Sequence, residues 1–155
     1  MQARIELNRG TAMSRLFLGV DGGQSSTTAM IGDETGRVLG SGRGGPCNHV
    51  GAAEGRAKFT NAINGCLTGA CAQAGLDPAG VCFEAACLGF SGGPADKVTL
   101  LREMLRTGRM ILTTDAPIAL TGATGGEPGI ITIAGTGSIS WGRDRNGRTA
   151  RAGGW

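Results

Sequence analysis

Tyrosine is missing altogether, and histidine occurs once, at position 49. Aromatic side chains make up only 4% of the 155 residues, which leaves little for stacking nucleotide bases. Charged residues are sparse at 17%, and the net charge of +3 comes from dispersed arginines rather than a basic stripe. Nucleic acid is therefore not an expected partner. No apolar run approaches the roughly 20 residues of a membrane-spanning helix. The first twenty residues lack the unbroken apolar core of an export signal, so no membrane is expected and the expected setting is the cytoplasm. No G-x-x-x-x-G-K-[ST] segment occurs, which excludes a P-loop.

Cysteine is present but in an odd number, five, with two C-x4-C pairs at Cys66/Cys71 and Cys82/Cys87 besides Cys47. Structural zinc favours C-x2-C spacing and further histidines, so buried or half-buried free thiols are expected instead of a metal centre. What the chain has in abundance is glycine, 30 residues scattered through apolar runs without a collagen-like period. Tight turns and close backbone approaches are the physical reason for such a distribution.

The first dozen residues read as a disordered extension, 1–13. Leu16–Val20, Thr27–Gly32 and Arg37–Gly42 then alternate with turn signals and predict a three-stranded antiparallel meander. From Val50 the apolar positions Ala53, Ala57, Ile63, Leu67, Ala70 and Ala74 recur at helical spacing, with Gly75 and Pro78 as the stop. A buried strand is predicted over Ala85–Phe90, a helix over Lys97–Arg106, a strand over Arg109–Thr113 and a short helix over Ile118–Ala123. "TGATGGEPG", from Thr121, is the most linker-like stretch. Beyond it, Gly129–Ala134 and Ser138–Trp141 flank a Gly-Thr-Gly turn as a hairpin, and Arg145-Asn146-Gly147 supplies another turn. The expected fold class is α/β, a mixed sheet with flanking helices over 14–125, followed at 126–155 by the incomplete start of a second lobe. That second part leaves Ile131, Ile133 and Ile139 as an apolar patch prone to self-association, with a homodimer as one outcome.

Three places can carry chemistry. In "GVDGGQSSTTAMI", Asp21 closes a strand, Gly22 and Gly23 turn the chain, and Ser25, Ser26 and Thr27 add hydroxyl donors. Such a turn suits a phosphate, and the carboxylate suits a hydrated Mg²⁺. "AGTGSIS" repeats the chemistry with Thr136, Gly137 and Ser138. Asp115 follows the apolar strand "RMILTT" where open α/β sheets place their sites; it is either a helix cap or a base for a substrate hydroxyl. "GSGRGG", Gly40–Gly45, fits G-x-G-x-x-G, but Pro46 follows at once and no strand-to-helix junction forms, so no dinucleotide site is expected.

In order along the chain, "GVDGGQSST", "GPCNH", "TTDAPIAL", "IITIAGTGSISWG" and "GGW" resemble the motifs of the actin, heat-shock chaperone and sugar-kinase superfamily, whose fold is ribonuclease H-like. Within it the chain is similar to the N-acetylglucosamine kinases grouped in the BadF/BadG/BcrA/BcrD ATPase family. The resemblance implies an ATP- and Mg²⁺-dependent transfer of the γ-phosphoryl group to the 6-hydroxyl of an amino sugar. By the same resemblance Asp115 is the catalytic base, Asp21 orients Mg²⁺, and Gly22, Gly23, Ser25, Thr136 and Gly137 hold phosphate. Asn48, His49, Ser138 and Trp155 would contact the sugar. Gln24 stands where relatives commonly have a small residue, and Ile139 where some present a polar sugar contact, which leaves the choice of hexosamine open. Members of the family run to roughly twice this length, so the resemblance implies one lobe of a two-lobed enzyme. Two other readings share the fold: an activator ATPase of a dehydratase or reductase carrying an iron–sulfur cluster, and a non-catalytic sugar or nucleotide sensor.

Overall fold

The computed structural model describes residues 14–47, 53–93, 95–135 and 137–154. The extension at 1–13, and Asn48, His49, Val50, Thr136 and Trp155, lie outside the described residues. Strands β1 (Leu16–Gly22), β2 (Thr27–Asp33) and β3 (Val38–Gly44) form the antiparallel meander. Helix α1 (Ala53–Ala74), strand β4 (Phe83–Phe90), helix α2 (Val98–Met104), strand β5 (Thr107–Thr113) and helix α3 (Asp115–Thr124) follow. β4 and β5 run parallel to β1, which gives a five-stranded mixed sheet in the order β3-β2-β1-β4-β5. Strands β6 (Gly129–Ala134), β7 (Ser138–Arg143) and β8 (Thr149–Gly153) make a separate antiparallel sheet.

The mixed α/β class stands as expected, with several boundaries moved. β1 runs on through Asp21 to Gly22, because the ladder to β2 continues to the Gly22–Thr27 pair. β3 is displaced toward the C-terminus and ends at Gly44. α2 stops at Met104, where Leu105 turns extended (φ −116°, ψ 129°). The short helix expected over Ile118–Ala123 forms as α3 with an earlier start, and the linker-like stretch from Thr121 begins inside its last turn, before Gly125 in the left-handed region (φ 62°).

The glycines of "GSGRGG" are explained by packing. A Cβ on Gly40, Gly42 or Gly44 would run into the α1 backbone at Ala70, Cys66 and Ala62 respectively. Alternate positions of β3 therefore form a bare backbone track on which α1 lies, which is close approach without a nucleotide. α1 buries Phe59, Ala62, Ile63, Cys66, Leu67, Ala70 and Cys71. Ala57, predicted on this face, is exposed, because the stripe turns instead through the phenylalanine and the two cysteines. Gly75 (φ 68°) ends α1 with a Schellman pair, Leu76 N–H to Cys71 O (2.9 Å) and Gly75 N–H to Ala72 O (3.3 Å).

Leu18, Val20, Ala29, Ile31, Phe83, Ala86, Leu88 and Phe90 from the sheet close the core against α1, with Leu101 and Leu105 joining from and just beyond α2. Fully burying each large side chain stabilises the fold by about 1.5–3 kcal/mol relative to exposure. Cys47, Cys66 and Cys71 are buried, Cys87 is half-buried, and Cys82 is exposed. The expectation of buried thiols thus fails at Cys82, which precedes β4 and stays outside the ladder.

α3 packs on β4 and β1 and also on β6 and β7, so it joins the two sheets. No described residue of β6–β8 is buried, and Ile131, Ile133 and Ile139 are half-covered while Ile130 is 79% exposed.

Candidate active site

The site gathers at the C-terminal ends of the parallel strands. Asp21 is next to last on β1 and pairs in register with Gly89 of β4. A Cβ on Gly89 would strike the Ile118 side chain and, at 2.8 Å, the Thr114 carbonyl oxygen. The missing side chain therefore lets the first turn of α3 settle on the sheet beside Asp21. Asp115 is the first residue of that helix; the cap position belongs to Thr114, whose side chain makes no capping bond. The alternative of Asp115 as the N-cap is thereby corrected. One carboxylate oxygen, Oδ1, accepts from the Ala116 N–H (2.9 Å), and the other, Oδ2, from the Ser91 hydroxyl (2.7 Å).

Asp21 reaches solvent, yet its surroundings strip part of its hydration and Asp115 faces it. Burial first and the Asp115 charge second push the Asp21 carboxyl above its usual value. Two neighbouring carboxylates that repel each other form a setting in which a divalent cation or a proton is welcome.

The glycine turn is built by contacts rather than by unusual backbone angles. Gly22 faces the Phe90 ring so closely that a Cβ could not fit, and its carbonyl accepts from Ser91 N–H (3.0 Å). Gly23 donates to Ser26 O (2.9 Å) and accepts from Cys47 N–H (3.0 Å). The Gly23 N–H is thus engaged within the turn.

Of the hydroxyls expected to face an anion, Ser25 is exposed. Thr27 is not available: it is fully buried, its hydroxyl donates to Gly45 O (2.7 Å), and it lies 2.8 Å from Cys47 Sγ. Burial pushes the Cys47 thiol up, which keeps it neutral in this role. Ser26 accepts a long bond from Arg43 (3.4 Å). The hydroxyl run is therefore divided between the site and the strand.

Gly137 on the β6–β7 connection and Ser138, the first residue of β7, are exposed, and Gly135 N–H donates to Gly137 O (2.9 Å). The Ser138 carbonyl accepts from Gly154 N–H (2.8 Å). Among the described residues, no hydrogen bond ties this connection to the Asp21 turn.

Sequence reasoning missed Ser91, Gly89 and Lys97. The signal for the first was present, since Gly89-Phe90-Ser91-Gly92-Gly93 fits the G-x-S-x-G spacing of a nucleophile elbow. Here the serine hydroxyl goes to a carboxylate instead of a histidine. Lys97 is 1% exposed; its Nζ donates to Gly93 O (2.9 Å) and Asp96 Oδ1 (2.6 Å) and lies 5.7 Å from the Phe90 ring centroid.

A mixed sheet with a turn after β1, an acidic helix start after β5 and a following hairpin defines the fold of the actin-like ATPases and sugar kinases. The pattern of the BadF/BadG/BcrA/BcrD ATPase family matches residues 18–155, and the chain belongs to that family. It is 34% identical over 149 residues to the N-acetylmuramic acid/N-acetylglucosamine kinase of Clostridium acetobutylicum, covering 91% of this chain and 46% of the relative. It is 33% identical over 153 residues to the N-acetyl-D-glucosamine kinase of Dictyostelium discoideum, covering 90% and 47%. Among solved structures, a proposed N-acetylglucosamine kinase from Chromobacterium violaceum superposes with a TM-score of 0.74 at 34% identity, covering 92% of this chain and 50% of that one. The chain thus spans about half the length of the curated relatives it matches.

Proposed function

We propose that this chain is the nucleotide- and sugar-binding first part of an ATP-dependent amino-sugar kinase. The observation that carries the reading is the placement of Asp115. Its carboxylate stands at a helix start beside Asp21, at the end of the sheet where this fold receives ligands. In the transfer, the bond from the γ-phosphorus to the ADP oxygen breaks as a bond to the sugar oxygen forms, and Asp115 takes the hydroxyl proton. The acceptor is the 6-hydroxyl. N-acetylglucosamine and N-acetylmuramic acid, which the Clostridium acetobutylicum relative's name joins, differ by an ether at O3 and share a free primary hydroxyl at C6.

Asp21 would hold Mg²⁺ through water, and the raised Asp21 carboxyl beside a second acid fits such an ion. When bound, the ion neutralises phosphate charge. Gly22 and Gly23 bring the backbone near the phosphates without side chains in the way, and Ser25 adds a hydroxyl donor. By the family resemblance, Thr136 and Gly137 would hold phosphate, and Ser138, Asn48, His49 and Trp155 would contact the sugar. Residues 14–125 form the first lobe and 126–155 open the second. Positioning and charge complementarity, without a covalent intermediate, supply the catalysis.

The test is ADP release with Mg²⁺-ATP against N-acetylglucosamine, N-acetylmuramic acid, glucosamine, glucose and no sugar, on the full polypeptide that contains this chain. Sugar-dependent release that falls by about 10²–10⁴-fold in Asp115→Asn is expected of a lost general base. Release indifferent to sugar sinks the kinase reading and favours an activator ATPase. For that rival, only Cys82 among the described residues is an exposed thiol.

A further inference from the structure

Ser91 lies at the end of β4, where three independent contacts fix the chain. Its N–H donates to Gly22 O (3.0 Å), tying it to the glycine turn after Asp21. The preceding residue, Phe90, is fully buried against Phe59 with ring centroids 5.7 Å apart. The two residues that follow, Gly92 (φ 80°) and Gly93 (φ 88°), reverse the chain in a conformation that side chains resist. The reversal is then held by buried Lys97, whose Nζ donates to Gly93 O. The Ser91 hydroxyl emerges from this support to donate to Asp115 Oδ2, while Ala116 N–H donates to Oδ1.

Two donors on two different oxygens fix the plane of a carboxylate that would otherwise rotate freely about its last bond. We infer that Ser91 is the positioning residue for Asp115. It orients the carboxylate so that the remaining lone pair of Oδ2 faces the incoming sugar hydroxyl. Ser91 itself touches neither sugar nor phosphate. The role rests on the kinase reading above and adds to it a residue that no motif assigned.

The experiment measures kcat and KM for N-acetylglucosamine and ATP in the full polypeptide, unsubstituted and as Ser91→Ala, Ser91→Thr and Ser91→Val. Loss of orientation alone is expected to lower kcat by about 10-fold in Ser91→Ala, with both KM values changed by less than about twofold. Ser91→Thr should recover most of the rate and Ser91→Val should not; these two side chains have the same shape and differ by the hydroxyl. If Ser91→Ala unfolds, the Thr and Val pair decides alone, compared at equal melting temperature. An unchanged kcat in Ser91→Ala and Ser91→Val, with an active unsubstituted enzyme, overturns the positioning role and leaves the kinase reading standing. A raised sugar KM at constant kcat also overturns it, because Ser91 would then be a sugar contact. No sugar-dependent turnover from the unsubstituted protein removes the kinase reading and the Ser91 role together.

Discussion

Each sheet closes one of its hairpins with the same turn, and yet the two differ in nearly everything else. Asp33-Glu34-Thr35-Gly36-Arg37 joins β2 to β3, and Asp144-Arg145-Asn146-Gly147-Arg148 joins β7 to β8. In each, the aspartate carboxylate accepts from the N–H groups two and four residues on. In each, the glycine takes a positive φ, 83° at Gly36 and 76° at Gly147. But β1–β5 enclose a continuous core, whereas no described residue of β6–β8 is buried. Good turn chemistry sets register; it does not supply stability. That comes from a helix lying across the strands, which the five-stranded sheet has in α1 and the three-stranded sheet has only along its flank in α3.

The sharpest way to break the difference is to block the α1 track. Gly42→Val forces a branched side chain into the Cys66 and Ala70 backbone and is expected to cost about 3 kcal/mol or more, seen as a lost cooperative transition in far-UV circular dichroism. Next in size, Leu88→Ala in the core should lower stability by about 2–5 kcal/mol in urea unfolding. Ile133→Ala on β6, which is only half-covered, should cost under about 1 kcal/mol. Equal costs for that pair would erase the distinction between the sheets.

A smaller effect concerns Asp21. Its folded carboxyl value is raised, so the stability it contributes is full below the ordinary carboxylate range and is lost as pH rises through the raised value. Asp21→Asn removes that loss. Without Mg²⁺ at neutral pH the variant is expected to melt about 1–3 °C higher, and a lower melting point in calorimetry would contradict it.

The smallest effect is shared by both sheets. A hydrogen bond from the Thr35 hydroxyl chiefly lowers the Asp33 carboxyl, and one from Arg148 chiefly lowers that of Asp144. Each turn keeps this support above the ordinary carboxylate range and loses it as pH falls through the lowered value. Faster amide exchange at Thr35, Arg37, Asn146 and Arg148 in acid, corrected for intrinsic rates, is the expected sign.

The order and type of the elements were legible in the sequence because apolar periodicity and turn residues are local. The positions of Asp21 and Asp115 were legible as well, since one stands at the end of an apolar strand and the other just past one. What was hidden depends on contacts between distant segments. Nothing local says that Thr27 turns inward to Gly45, that alternate glycines of β3 face a helix, or that Gly89 is bare so that α3 can sit on it. Ser91 carried a local G-x-S-x-G signal that went unread, but its partner was hidden, being 24 residues away in the chain.

α3 has a consequence of a mechanical kind. The helix has Ile118 beside Gly89 of the first sheet and Leu120 and Thr124 beside Gly129 of the second, and Asp115 is its first residue. It is therefore a strut between the two sheets with the acid at one tip. The Ser91 hydroxyl braces that tip on the side of the first sheet, so the acid is held from both sheets at once.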